Sequence, residues 1–297
     1  MSESRQKILA VYILLLFIWS STWMFMKISV GNTPFFAASI RFFLASGILA
    51  VYQKCRSKPI GIQREYFSIY MIIGLLNFAF SYGLTYWAMS FMYSNVVSLL
   101  WATFPVQVAV FAQFFLPKEK LNLGKIFSLL LAVIGSAFIF NVGSADMGPE
   151  VTRGISLVLI SVAAASFSNV HVKKFGQETD PVRLNLNGML IGASIMLVVA
   201  FFAEPWKTFP LTFPVIGATF YLAIASSIAF STYLWLLKHM EVTKLSYITF
   251  LIPIFAGILG WIFLKEILGP KTLTGGSMIL AGVILPDLWR KLTRPKA

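Results

Sequence analysis

Runs of about twenty predominantly apolar residues recur ten times along this chain. They lie at roughly 7–27, 34–53, 66–89, 93–116, 122–141, 153–172, 184–203, 213–237, 243–264 and 271–289. A bilayer core about 30 Å thick needs about 20 such residues per helix. The fold expected is therefore an all-α membrane protein with ten transmembrane helices. Hydrophobic residues make up 58% of the chain and charged residues 12%. A soluble domain carries about 45–50% and about 25%, so most soluble enzymes and nucleic-acid-binding modules are excluded. One cysteine, Cys55, and two histidines, His171 and His239, leave no intramolecular disulfide and no cysteine–histidine metal cluster. No metal and no cofactor are expected. The first run follows Arg5 and Lys7 with no small-residue cleavage site after it, and reads as a retained helix.

The basic residues test the count. Lysine and arginine concentrate in cytoplasmic loops near span ends. With the N-terminus inside, 18 of the 24 basic residues fall in inner segments and 5 in outer ones, while Arg41 lies within a span. That asymmetry fits ten crossings, an integral protein of a bacterial inner membrane and both termini in the cytoplasm. It also explains the net charge of +13 by topology and contact with anionic lipid, without nucleic acid.

Two stretches resemble each other. Phe104–Gly135 reads FPVQVAVFAQFFLPKEKLNLGKIFSLLLAVIG, and Ile252–Gly282 reads IPIFAGILGWIFLKEILGPKTLTGGSMILAG. Pro105 and Pro253 stand 148 residues apart, and Glu119 and Glu266 stand 147 apart. The spacing is half the chain, giving two five-helix halves, 1–145 and 146–297. Five is odd, so the second half enters the membrane inverted. Inverted halves mark secondary transporters, with a site near the midplane where the repeats meet. With these helix pairs, IWSSTWMFMK (Ile18–Lys27) and RFFLA (Arg41–Ala45) make the whole chain resemble the drug/metabolite transporter superfamily, in its ten-helix EamA-type family. The resemblance implies alternating access for small organic solutes, commonly outward. The chain departs from the family in having Trp19-Ser20 where Trp-Gly is frequent, and its second half lacks a clear copy of the Trp and Arg motifs.

Several residues are candidates for the site. Proline removes an N–H and displaces the carbonyl four residues back, so Pro105 and Pro253 are expected as hinges, against the alternative of a packing kink. Asn77, Ser81 and Thr85 repeat every four residues on the third span, flanked by Tyr82 and Tyr86. Ser98 and Trp101 fall at helical spacing before Pro105, as Tyr247 does before Pro253. Ser168 and Asn169 on the sixth span and Ser227 on the eighth extend the polar lining. Such residues prefer a bundle interior or a wet cavity, although small polar residues also serve helix packing. Ser20, Trp19 and Trp23 on the first span offer a stacking surface, with Trp23 equally suited to an interfacial anchor. Arg41, within the second span, would attract an anion or hold structure. The expected substrate-binding set is Ser20, Trp23, Asn77, Ser81, Tyr82, Ser98, Trp101, Ser168, Asn169, Ser227 and Tyr247.

No Asp or Glu lies near the centre of a span, and His171 is the one histidine inside a helix. Facilitated exchange, or coupling through another group, is therefore expected. The function expected is export of a small amphipathic solute, amino-acid-like or drug-like, by alternating access. A channel is an alternative. An intramembrane enzyme is a weaker one, because HExxH, aspartate-rich and paired-aspartate motifs are all absent. Small residues on helices 5 and 10, Gly135 and Gly282 among them, suit close packing and a homodimer surface. Reporter cysteines placed before residue 10 and after residue 290 are expected to react from the same, cytoplasmic, side. Labelling from opposite sides would require an odd number of crossings.

Overall fold

The computed structural model describes residues 3–92, 94–119, 121–140, 149–252, 254–255 and 274–282. Among them every element is helical. The order is α1 (Glu3–Val30), α2 (Pro34–Cys55), α3 (Arg64–Phe91), α4 in two pieces (Ser94–Trp101 and Phe104–Phe115), α5 (Leu123–Phe140), α6 (Pro149–Phe175), α7 (Pro181–Ala203), α8 (Phe213–His239), α9 (Val242–Ile252) and α10 (274–282). Seven of these, α1 to α4 and α6 to α8, are long and apolar enough to cross a membrane. Much of the ninth and tenth expected runs, and Pro253 with them, lies outside the described residues.

Local chemistry sets the helix starts. Proline occupies the first turn of α2, α7 and α8, where its missing N–H costs nothing and its φ suits a helix. Asp180 caps α7 by accepting the Arg183 amide at 2.8 Å, the usual N-cap arrangement.

The packing comes in matching pairs. α1 lies on α8 and α6 on α3, and likewise α2 on α8 and α7 on α3. α2 and α7 run antiparallel along one another. At one end Glu204 accepts the amides of Phe35 (2.8 Å) and Phe36 (3.0 Å) at the start of α2. At the other, Gln53 donates to Asp180 at 3.1 Å. Burial raises the Glu204 carboxyl above the ordinary carboxylate range, and the two amide bonds oppose that shift.

Two lysines repeat one contact. Lys27, near the end of α1, donates to the carbonyls of Met89 (2.6 Å) and Met92 (2.9 Å) at the end of α3. Lys173, near the end of α6, donates to Leu237 (2.6 Å) and Met240 (2.9 Å) at the end of α8. Each ammonium satisfies carbonyls that have no partner within their own helix, at its negative end. The repeated Lys-Glu acquires a role here as well. The buried Glu119 carboxylate accepts the amides of Val242 (3.2 Å) and Thr243 (3.3 Å), capping α9, and Lys125 joins Glu241 at 3.6 Å.

Two irregularities shape the middle of the bundle. α3 winds as a π-helix over Ile73–Ser81, a rare form that is frequent at functional sites. α7 lies so close to it that a Cβ at Gly192 would meet the Ala79 amide nitrogen at 3.0 Å. α4 breaks at Ala102-Thr103, just before Pro105. Tighter bonds replace the lost ones, Ala102 to the Leu99 carbonyl and Thr103 to that of Leu100. A turn at Tyr247 similarly interrupts α9. The small faces of α5 and α10 meet within the chain: a Cβ at Gly135 would lie 2.6 Å from the Gly275 carbonyl.

Lys27→Met and Lys173→Met should each lower stability by about 1–2 kcal/mol, the contribution of a hydrogen-bonded charge at a partly exposed site. Thermal unfolding in one detergent checks this, and the two losses should be alike.

Candidate solute-binding cavity

The helices enclose a cavity of about 700 Å³, counting its open mouth. Its first-half wall is aromatic: Trp19 and Trp23 from α1, Tyr82 from α3, and Trp101 and Phe104 on either side of the break in α4. The second half adds Ala165 and Asn169 from α6, Phe230 from α8, and Thr249 and Ile252 from α9. Each second-half residue stands 146 or 148 positions after its first-half counterpart, in the order given. The lining therefore contains five matched pairs. Thr22, Met26, Ile73, Asn77, Asn185, Tyr233 and Leu234 complete it.

The rings form a connected belt. Trp23 and Trp101 centroids lie 6.2 Å apart, Trp101 and Tyr82 6.0 Å, Tyr82 and Phe230 5.5 Å, and Trp19 and Tyr233 5.2 Å. Edge-on and tilted pairs at these distances are favourable beyond the area they bury. A second layer holds the belt. The Trp101 indole N–H donates to Thr85 Oγ1 at 3.2 Å, and Thr85 shares a 2.9 Å hydrogen bond with Ser161. Asn169 donates to the Ala165 carbonyl at 2.7 Å, which leaves its own carbonyl oxygen for the cavity.

No acidic, basic or histidine side chain lines the cavity among the described residues. Arg41 sits one layer behind. It is 2% exposed, donates to Ser226 (2.8 Å) and Tyr86 (3.1 Å), and lies 5.1 Å from the Phe42 ring centroid and 5.4 Å from that of Tyr82. Among the described residues no group of three His, Cys, Asp or Glu side chains is gathered where a metal would sit.

Of the residues expected from the sequence, Trp23, Asn77, Tyr82, Trp101 and Asn169 meet in this cavity. The others lie elsewhere. Ser20 donates to the Leu16 carbonyl, and Ser227 to those of Ala223 and Ala45. Ser81 and Ser168 are buried with no hydrogen-bond partner among the described residues. Ser98 is half-buried and outside the lining. Tyr247 packs with Ala102, Ala109, Leu129, Phe250 and Ile279 beside α5 and α10. Pro105 is buried behind the break it accompanies, and Pro253 is outside the described residues. His171 lies away from the cavity, against Phe167 and Phe175.

Asn185, Tyr233, Phe230, Thr22 and Phe104 line the cavity without having been singled out. Asn185 had a usable signal, an amide within an apolar run. Phe230 and Phe104 had none, because phenylalanine is common on every face of such helices.

The model of the EamA-like transporter family matches residues 6–141 and again 152–286. The chain is 26% identical to "Uncharacterized transporter YoaV" of Bacillus subtilis over 270 residues, covering 90% of this chain and 92% of that protein. It is 22% identical to the "S-adenosylmethionine/S-adenosylhomocysteine transporter" of Chlamydia trachomatis serovar L2, covering 92% and 87%. A solved crystal structure of a protein 17% identical to it superposes with a TM-score of 0.81, over 97% of this chain and 99% of that one, and shows the same fold.

Thr85→Val should lower stability by about 1 kcal/mol, because the indole N–H of Trp101 and the hydroxyl of Ser161 both lose a buried partner. Thermal unfolding checks it, with Thr208→Val, on an exposed turn, as the neutral control.

Proposed function

The chain belongs to the EamA-like transporter family, and on that premise we propose that it is a secondary transporter working by alternating access. The solute is a small amphipathic organic molecule, amino-acid-like or drug-like, carried outward across the cytoplasmic membrane of a bacterium. The observation that carries this reading is the lining itself. Five matched pairs of residues, one from each half, face one cavity. A carrier built from inverted repeats requires its site at the repeat interface.

The proposed architecture is ten crossings in two inverted halves, 1–145 and 146–297, with both termini cytoplasmic. The matched packing of α1 on α8 and α6 on α3 supports it, as do the twin contacts of Lys27 and Lys173. In an inverted arrangement those two lysines close helix ends on opposite faces of the membrane. Pro105 and Pro253 are the proposed hinges, and the break beside Pro105 supports the first of them. The outward faces of helices 5 and 10 are the proposed homodimer surface, where α5 exposes Phe127, Leu130 and Phe138. The substrates named for the chlamydial relative fall within the amphipathic class.

Proteoliposomes preloaded with phenylalanine, adenosine or S-adenosylmethionine should show saturable counterflow of at least one labelled solute. Trp101→Ala should lower it at least ~10-fold, on the order of one lost stacking contact and one lost hydrogen bond. Unsaturable flux would indicate a channel, and no flux of any of the three would overturn the carrier reading.

A further inference from the structure

The two walls of the cavity differ in a way that duplication does not require. At four of the five matched pairs the first half supplies a ring and the second half does not: Trp19 against Ala165, Trp23 against Asn169, Trp101 against Thr249, and Phe104 against Ile252. The second-half side also holds polar groups with nothing to bind. Both amide atoms of Asn185, a residue 0% exposed, lack a hydrogen-bond partner among the described residues, and so does the hydroxyl of Tyr233, 2% exposed. Both residues line the cavity. Buried polar groups in native proteins are nearly always partnered, and exceptions call for a ligand, water or ion. An asparagine amide offers a donor and an acceptor side by side.

Charge narrows the choice further. An aromatic belt alone would suit an organic cation. Here, however, the Arg41 guanidinium lies against the Tyr82 ring, and no carboxylate lines the cavity among the described residues. A cationic solute would be repelled by it. An anion would be drawn by the same guanidinium, but only from a layer behind the lining, and would leave water with no cation in contact to replace its hydration.

We propose that the cavity selects an uncharged planar heteroaromatic solute, its ring stacked on the first-half wall and an adjacent donor and acceptor on its edge paired with the Asn185 amide. The Tyr233 hydroxyl takes a further polar atom of the same solute. This rests on the carrier reading above and names its substrate class. It assigns Asn185 and Tyr233, on the seventh and eighth helices, as recognition residues.

Three compounds share one ring and differ in charge: nicotinamide is neutral, nicotinate is an anion and 1-methylnicotinamide is a cation. Calorimetric titration of the purified full chain should find nicotinamide bound at least ~10-fold more tightly than either charged analogue, with the neutral base adenine also bound. Equal or tighter binding of a charged analogue, or no binding of either neutral probe, overturns the proposal. Asn185→Leu and Tyr233→Phe should each weaken nicotinamide binding ~10-fold or more, the loss expected for a buried hydrogen bond. The melting temperature of the unliganded protein should stay the same or rise, because each change removes an unpartnered polar group. A fall in melting temperature with unchanged affinity makes these residues structural and overturns the assignment. Counterflow of phenylalanine or S-adenosylmethionine through a protein that binds neither neutral probe overturns the solute class and leaves the carrier standing.

Discussion

Helix ends leave backbone groups without partners in their own helix, and the arrangement of this bundle follows from how its ends are closed. Here charged side chains of other helices supply those partners. Lys27 closes α3, Lys173 closes α8, Glu204 closes the start of α2 and Glu119 the start of α9. In each case the charge has the sign that the helix dipole favours. Every one of these contacts ties together two helices that are not consecutive in the chain. The result is a set of cross-tied pairs standing around a centre that none of the ties fills.

That centre is where regular winding fails. The π-helical stretch Ile73–Ser81 and the break at Ala102-Thr103 both face it. One presents Asn77 and the other separates Trp101 from Phe104, so that both rings reach the same space. A regular helix through Pro105 would carry a steric clash in its interior. The break removes the clash, and the tightened turn absorbs the displaced hydrogen bonds.

Much of this was legible in the amino-acid sequence. The first eight apolar runs marked their helices to within a few residues, because length and hydropathy decide spanning with little help from tertiary context. The half-chain spacing of the Pro and Lys-Glu pairs pointed to the repeat, and the same spacing relates Lys27 to Lys173. Their shared role stayed hidden, because nothing in Met89 or Met92 announces a helix end that a lysine will meet. Large intramembrane side chains were good guides to the cavity: Trp23, Tyr82, Trp101, Asn77 and Asn169 all reach it. Serines were poor guides, because a serine can return its proton to the carbonyl one turn back, as Ser20 and Ser227 do. The expected shared face of Asn77, Ser81 and Thr85 does not survive the change of pitch. Asn77 meets the cavity, whereas Thr85 turns to Ser161 and the Trp101 indole. Tyr247 follows the turn in α9 away from the cavity and into the cluster beside α5.

The belt of rings has a practical consequence. Three of the chain's eight tryptophans, Trp19, Trp23 and Trp101, face a single small space, with Tyr82 and Tyr233 in contact with them. Excitation absorbed by those tyrosines passes readily to indoles so near. Part of the protein's ultraviolet emission thus originates at the proposed site, and the native chain would carry its own optical reporter of occupancy without any attached dye.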